Sequence, residues 1–132
     1  MYTFSHKLRI RYGETDQMGY CYHGNYAQFL EIGRVETLRS LGISYKQIEE
    51  SGIMLPVIEL NVKYLKPSFY DDLITIKTTI KNKPSVRIEF DYEIYNEKNE
   101  LLTIAYTKLV FVNKINMKPC KGPLELIKKF ND

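Results

Sequence analysis

One helical stripe set between strand-like segments constrains this chain more than any other feature. Tyr26, Phe29, Leu30, Gly33, Thr37, Leu38 and Leu41 recur at helical spacing, and the segments on both sides alternate with a period of two instead. Ahead of the stripe, residues 5–12 place His6, Leu8, Ile10 and Tyr12 on one face and Lys7, Arg9 and Arg11 on the other. Behind it, residues 57–65, 73–80, 86–95 and 101–112 are rich in Val, Ile, Thr, Tyr and Phe and are bounded by Pro, Asn, Asp or Gly. One strand, one long helix and four more strands predict an α+β fold, an antiparallel five-stranded sheet with a helix on one face. A chain of 132 residues has room for one such domain, over residues 1–132.

Local signals mark the ends of these elements. Asn25 stands at the N-cap position with Gln28 three residues on, as in a capping box, and Gly42 supplies the stop. A glycine at 33, inside the apolar stripe, suits close packing of helix on sheet. Ser44 and Gln47 repeat the capping pattern and open a short helix ending at Gly52. The polar stretches 82–85 and 96–100 read as hairpin turns, so the last three strands form a meander. Residues 123–130 read as a short C-terminal helix with Leu124, Ile127 and Phe130 on its inner face.

Nineteen Lys and Arg against sixteen Asp and Glu leave a net charge of +3, scattered along the chain, which does not indicate nucleic-acid binding. Cys21 and Cys120 are too far apart for a C-x-x-C pair, and with two histidines no metal site is expected. No apolar run approaches the roughly 18 residues needed for a membrane span. Free thiols and the lack of an apolar leader predict a cytoplasmic protein. One helix cannot cover a five-stranded sheet and its edges, so a homo-oligomer is expected.

The segment Tyr12-Gly13-Glu14-Thr15-Asp16-Gln17-Met18-Gly19, followed by Tyr22-His23-Gly24-Asn25-Tyr26, carries a more specific message. It resembles the hot-dog-fold acyl-CoA thioesterases of the 4-hydroxybenzoyl-CoA thioesterase type, and among them the YbgC-like branch. The matching pattern is Tyr12, Asp16, His23 and Asn25-Tyr26, with Phe29-Leu30-Glu31 continuing it and Val62-Lys63-Tyr64-Leu65-Lys66-Pro67 and Asp71-Asp72 downstream. The likeness covers essentially the whole chain. Tyr20, Cys21 and Tyr22 depart from it, since relatives often have small aliphatic residues there.

The resemblance implies hydrolysis of an acyl-CoA thioester, without a cofactor, in a homotetramer built from dimers with sites at subunit interfaces. Asp16 would serve as general base or nucleophile, and the backbone N–H at His23 would hold the carbonyl oxygen at the positive end of the helix. The His23 imidazole and the Tyr12 hydroxyl would support the reacting centre. Lys66, Lys83 and Arg87, on or beside turns, are candidates for the coenzyme A phosphates, although a solvated surface would also account for them.

Other readings stay open. Asp16 would otherwise be a turn residue, His23 a surface residue and Tyr12 part of the core. Glu31 is the alternative catalytic carboxylate, or else one half of an i, i+3 ion pair with Arg34. Cys21 lacks a paired base and is a poor nucleophile candidate. A hydrolase of carrier-protein thioesters and a non-catalytic acyl-CoA-binding protein are the rival functions.

Overall fold

The computed structural model describes residues 1–130. Strand β1 (Tyr2–Arg9) leads into a loop, a short 3-10 turn (His23–Asn25) and helix α1 (Tyr26–Ser40); helix α2 (Tyr45–Glu50) and strand β2 (Ile53–Met54) follow. Then come strands β3 (Val57–Tyr64), β4 (Leu73–Ile80), β5 (Arg87–Tyr95), β6 (Leu101–Val110) and β7 (Val112–Asn113), and helix α3 (Leu124–Ile127). The five long strands form one antiparallel sheet in the order β1-β4-β5-β6-β3, with the expected meander at its centre. This is the α+β hot-dog arrangement, a sheet curled around a helix.

The sheet wraps α1 because alternate residues of β4 and β5 point the same way. Ile74, Ile76, Ile80, Ile88, Phe90, Tyr92 and Ile94 are all buried and meet Phe29, Leu30 and Leu38 of the helix. Gly33 sits at the closest approach. A Cβ there would lie 2.8 Å from both Ile76 Cγ2 and Thr78 Oγ1, so only glycine lets the helix rest this low. Gly42, at φ +81°, ends the helix in the left-handed conformation that favours glycine.

Several local expectations need correction. Strand β1 runs over Tyr2–Arg9 instead of 5–12; its inward parity at His6 and Leu8 holds, but Arg11 leaves the ladder. Tyr12 therefore falls on a 3-10 turn, 77% exposed, outside the core. Asn25 adopts helical φ and ψ because it is already the last residue of the 3-10 turn, and its side chain makes no cap bond. Ser44 does cap α2, accepting the Gln47 N–H at 3.3 Å. The C-terminal helix is a single turn that buries Leu126 and leaves Leu124 exposed.

Arg34 makes no ion pair with Glu31. It stands four residues from both Leu30 and Leu38, hence on the buried stripe, while Glu31 faces solvent. The Arg34 Nε donates instead to the Tyr45 hydroxyl at 3.1 Å, tying α1 to α2. Nearby, Tyr92 shares a 2.6 Å hydrogen bond with Thr107, and burial pushes its phenol up to about 12.

The two free edges differ. Strand β1 exposes Thr3, Ser5, Lys7 and Arg9. Strand β3 has almost no burial along its length, because α1 packs over β1, β4 and β5 and stops short of it. Leu60, Val62 and Tyr64 share the inner face with Thr107, Ala105 and Thr103 of β6, and Leu60 is still 50% exposed. No helix among the described residues is long and apolar enough to cross a membrane.

Candidate active site

The loop from β1 to α1 is held by its own backbone. Asp16 and Tyr20 bond to each other, Asp16 N–H to Tyr20 O at 2.8 Å, and Gly19 takes the positive φ that closes the turn. The Asp16 Oδ1 accepts the N–H groups of Met18 at 2.9 Å and Tyr20 at 3.2 Å. Those two bonds orient the carboxylate, and among the described residues Oδ2 has no hydrogen-bond partner.

Glu14 joins this loop to the helix, a feature that sequence reasoning missed. Its buried carboxylate accepts the Arg11 N–H at 2.7 Å, and its carbonyl accepts the Tyr22 N–H and the Asn25 side-chain amide, both at 2.8 Å. The Asn25 amide is therefore a strut between loop and helix start. The 3-10 turn begins at His23, so the first N–H groups, those of His23 and Gly24, have no intrahelical acceptor. The Tyr64 hydroxyl donates to the His23 carbonyl at 3.2 Å and fixes the turn against β3.

Asp16, His23 and Lys66 line one pocket of about 240 Å³, with Met18, Tyr20, Cys21, Tyr26, Tyr64, Leu65 and Pro67 as the other walls. The Tyr26 and Tyr64 rings meet edge to face at 5.1 Å, and the Tyr26 hydroxyl bonds to Ser68 at 2.8 Å. Of the divergent trio, Tyr20 and Cys21 line the pocket, whereas the Tyr22 ring lies against His23 at a 48° tilt and folds over Gly24, where a Cβ would lie 2.5 Å from its ring.

Not every expected residue arrives here. Tyr12 lies outside the pocket, edge to face with Tyr70 at 5.5 Å. Glu31 is on the solvent side of α1 and does not line the pocket. Lys66 is at the rim, but its ammonium is 2.7 Å from Glu100, whose carboxyl it holds below the usual range. Arg87 pairs with Val110, beside the Val57 end of β3, and Lys83 is in the turn before it. The pocket is at the Tyr64 end, about 24 Å away at roughly 3.4 Å per residue. Within one protomer, Lys83 and Arg87 are not brought to Asp16.

Burial pushes the Cys21 thiol up, and the negative charges of Glu14 and Asp16 act in the same direction against hydrogen bonds with Ser68 and Asn25. A neutral thiol is a weak nucleophile. Iodoacetamide at pH 7.5 is expected to alkylate Cys120 at least tenfold faster than Cys21, as read by peptide mass spectrometry; faster labelling of Cys21 would reopen its candidacy as nucleophile.

The model of the thioesterase superfamily matches residues 18–103. The chain belongs to the thioesterase superfamily. It is a thioester hydrolase of the hot-dog type. It is 34% identical over 119 residues to a putative acyl-CoA thioesterase, YneP, of Bacillus subtilis, covering 90% of this chain and 86% of that one. It is 31% identical to the acyl-CoA thioester hydrolase YbgC of Escherichia coli, over 96% of this chain and 95% of that one. Among solved structures, a DHNA-CoA thioesterase from Staphylococcus aureus superposes with a TM-score of 0.88 at 40% identity, covering 92% of this chain and 81% of that one.

Proposed function

We propose that this chain hydrolyses an acyl-CoA thioester to the free acid and coenzyme A, with Asp16 as the essential carboxylate. The observation that carries this reading is the pocket holding Asp16, anchored through Oδ1 alone, together with the helix start at His23. The names of the relatives in Bacillus subtilis and Escherichia coli support the same substrate class.

A thioester carbonyl at this place gains from both groups. Asp16 takes a proton from water as the water oxygen attacks the carbonyl carbon, or attacks that carbon itself to give an acyl-enzyme anhydride that water then opens. The negative charge that develops on the carbonyl oxygen is met by the N–H groups of His23 and Gly24 and by the positive end of the helix. The carbon–sulfur bond breaks, coenzyme A leaves as a thiolate, and the acid remains. The His23 imidazole, with its centroid 4.5 Å from that of the tilted Tyr22 ring, borders the reacting centre as a polar wall.

Lys66 at the rim suits a phosphate of the coenzyme A arm. Lys83 and Arg87 serve that arm only from a partner protomer, given their place at the far end of the sheet. The exposed edge of β3 is where such a partner binds.

The test is thiol release from short-chain, long-chain and aromatic acyl-CoA thioesters. Turnover is expected on at least one class with kcat/KM above about 10⁴ M⁻¹s⁻¹. Binding without turnover across the panel would favour an acyl-CoA-binding protein, and turnover only of carrier-protein thioesters would replace coenzyme A as the leaving group.

A further inference from the structure

The hairpin that follows β7 differs from the rest of the surface. No Asp or Glu stands between Glu100 and Glu125, a stretch that holds Lys108, Lys114, Lys118 and Lys121. Lys108 pairs with Glu59, as Lys66, Lys77 and Lys81 pair with carboxylates of their own. Lys114, Lys118 and Lys121 are exposed, and among the described residues none of the three has an ion pair. At the apex they flank, Ile115 is 93% exposed and Met117 64%.

The apex is held in place by its own bonds. The Asn113 N–H donates to the Lys118 carbonyl at 2.9 Å, and the Met117 N–H donates to the Asn113 carbonyl at 2.8 Å. The Asn113 side chain accepts the Ile115 N–H at 2.9 Å, and that of Asn116 accepts the Lys118 N–H at the same distance. The stem is tied to the body of the protein, since Lys114 N–H donates to the Gly52 carbonyl at 2.9 Å and β7 pairs with β2. Met117 holds φ at +61°, a left-handed backbone that is unfavourable for a side chain of its size. Such a residue persists only where its surroundings over-determine it, and here they keep two apolar side chains out in water.

The order of groups along the hairpin matches the layers of an anionic bilayer. Apolar side chains at the apex can reach the hydrocarbon boundary while the lysines on either side stay level with the phosphates. An acidic protein would answer the lysines, but it offers nothing to Ile115 and Met117. We infer that residues 113–118 form a peripheral anchor for a membrane surface rich in anionic phospholipid, with Ile115 and Met117 entering the acyl boundary and Lys114, Lys118 and Lys121 at the headgroups. The inference goes beyond the proposed hydrolysis and does not depend on it. Anchoring is reversible, because two side chains bury less apolar area than a single acyl chain, which is itself a marginal anchor.

Co-sedimentation of the whole protein with vesicles tests this. At about 0.1 M salt the protein is expected to sediment with vesicles of equal parts phosphatidylglycerol and phosphatidylcholine, and to stay in solution with phosphatidylcholine alone. Sedimentation with neither, or equally with both, would overturn the inference. Lys118→Ala is expected to lower the partition coefficient about fivefold, and Ile115→Ser by about as much or more. Both side chains are solvated, so neither change threatens the fold.

Insertion has its own readout. The chain has no tryptophan, so Ile115→Trp supplies a single reporter at the apex. Its emission is expected to move to shorter wavelength on the anionic vesicles and to stay unchanged on the neutral ones. Undiminished binding of Ile115→Ser together with unmoved tryptophan emission would mean that charge alone holds the protein, as at a docking site for an acidic protein, and would overturn the membrane assignment.

Discussion

Asp16→Asn is expected to lower kcat about a thousandfold, within the ~10² to 10⁴ range for removal of a general base or its equivalent. The substitution is close to isosteric, and an amide oxygen in place of Oδ1 still accepts the Met18 and Tyr20 N–H groups, so the loop keeps its shape. What is lost is a group able to take a proton or attack a carbonyl. KM should therefore change little, and the thermal midpoint should stay within a few degrees. Glu31→Gln, on the solvent face of α1, should cost less than about threefold by the same reasoning on transition-state contacts. Steady-state kinetics on the best acyl-CoA decide the matter. An active Asp16→Asn beside an inactive Glu31→Gln would move the chemistry to the helix.

Gly33→Leu should be the most damaging single change to the fold. The 2.8 Å approaches are to Ile76 Cγ2 and Thr78 Oγ1, side-chain atoms carried directly on Cβ of stiff β-branched residues of the sheet, and neither can swing away as the end of a long side chain would. Helix propensity alone would favour leucine by somewhat under 1 kcal/mol. Overpacking costs about 1–3 kcal/mol for added methylenes in a tight core, and four carbons at the closest helix–sheet contact belong at or beyond the top of that range. A net loss of about 3 kcal/mol is expected from urea unfolding, with Gly33→Ala intermediate. Equal or greater stability of the leucine variant would mean that the helix can lift off the sheet at no cost.

Much of this architecture is legible from residue spacing, because burial imposes a period. The inward residues of β4 and β5 alternate without a break, and the stripe from Tyr26 to Leu38 marks the face of α1 that the sheet encloses. What escaped spacing depends on contacts between distant segments. Tyr12 continues the parity of β1 on paper, yet Ile10 makes the last bonds of that edge, with Asp72 and Asp71, and the chain then turns away. Arg34 reads as a surface partner for Glu31, but a phenol on α2 and the stripe around it bury the guanidinium. The two-residue strands β2 and β7 are too short to show any period.

The candidate site was legible in the same uneven way. The spacing of Asp16 and His23 places both in one pocket, because the turn that separates them closes on itself through Tyr20. Glu14 reads in the sequence as one more acidic loop residue, and nothing in its neighbours signals its burial. Lys83 and Arg87 look like phosphate ligands from composition alone, and only strand register shows that they belong to the opposite end of the sheet.

The difference between the two sheet edges also limits assembly. Were β3 to pair with its own copy about a two-fold axis, that pairing would use the strand up, and the merged sheet would end at two copies of β1. There Lys7 and Arg9 would carry positive charge into any further edge-to-edge contact, and Arg9 is already turned toward Asp71. The charged side chains along β1 would have to be desolvated for another subunit to add there in the plane of the sheet, and that cost guards the edge against growth into fibrils.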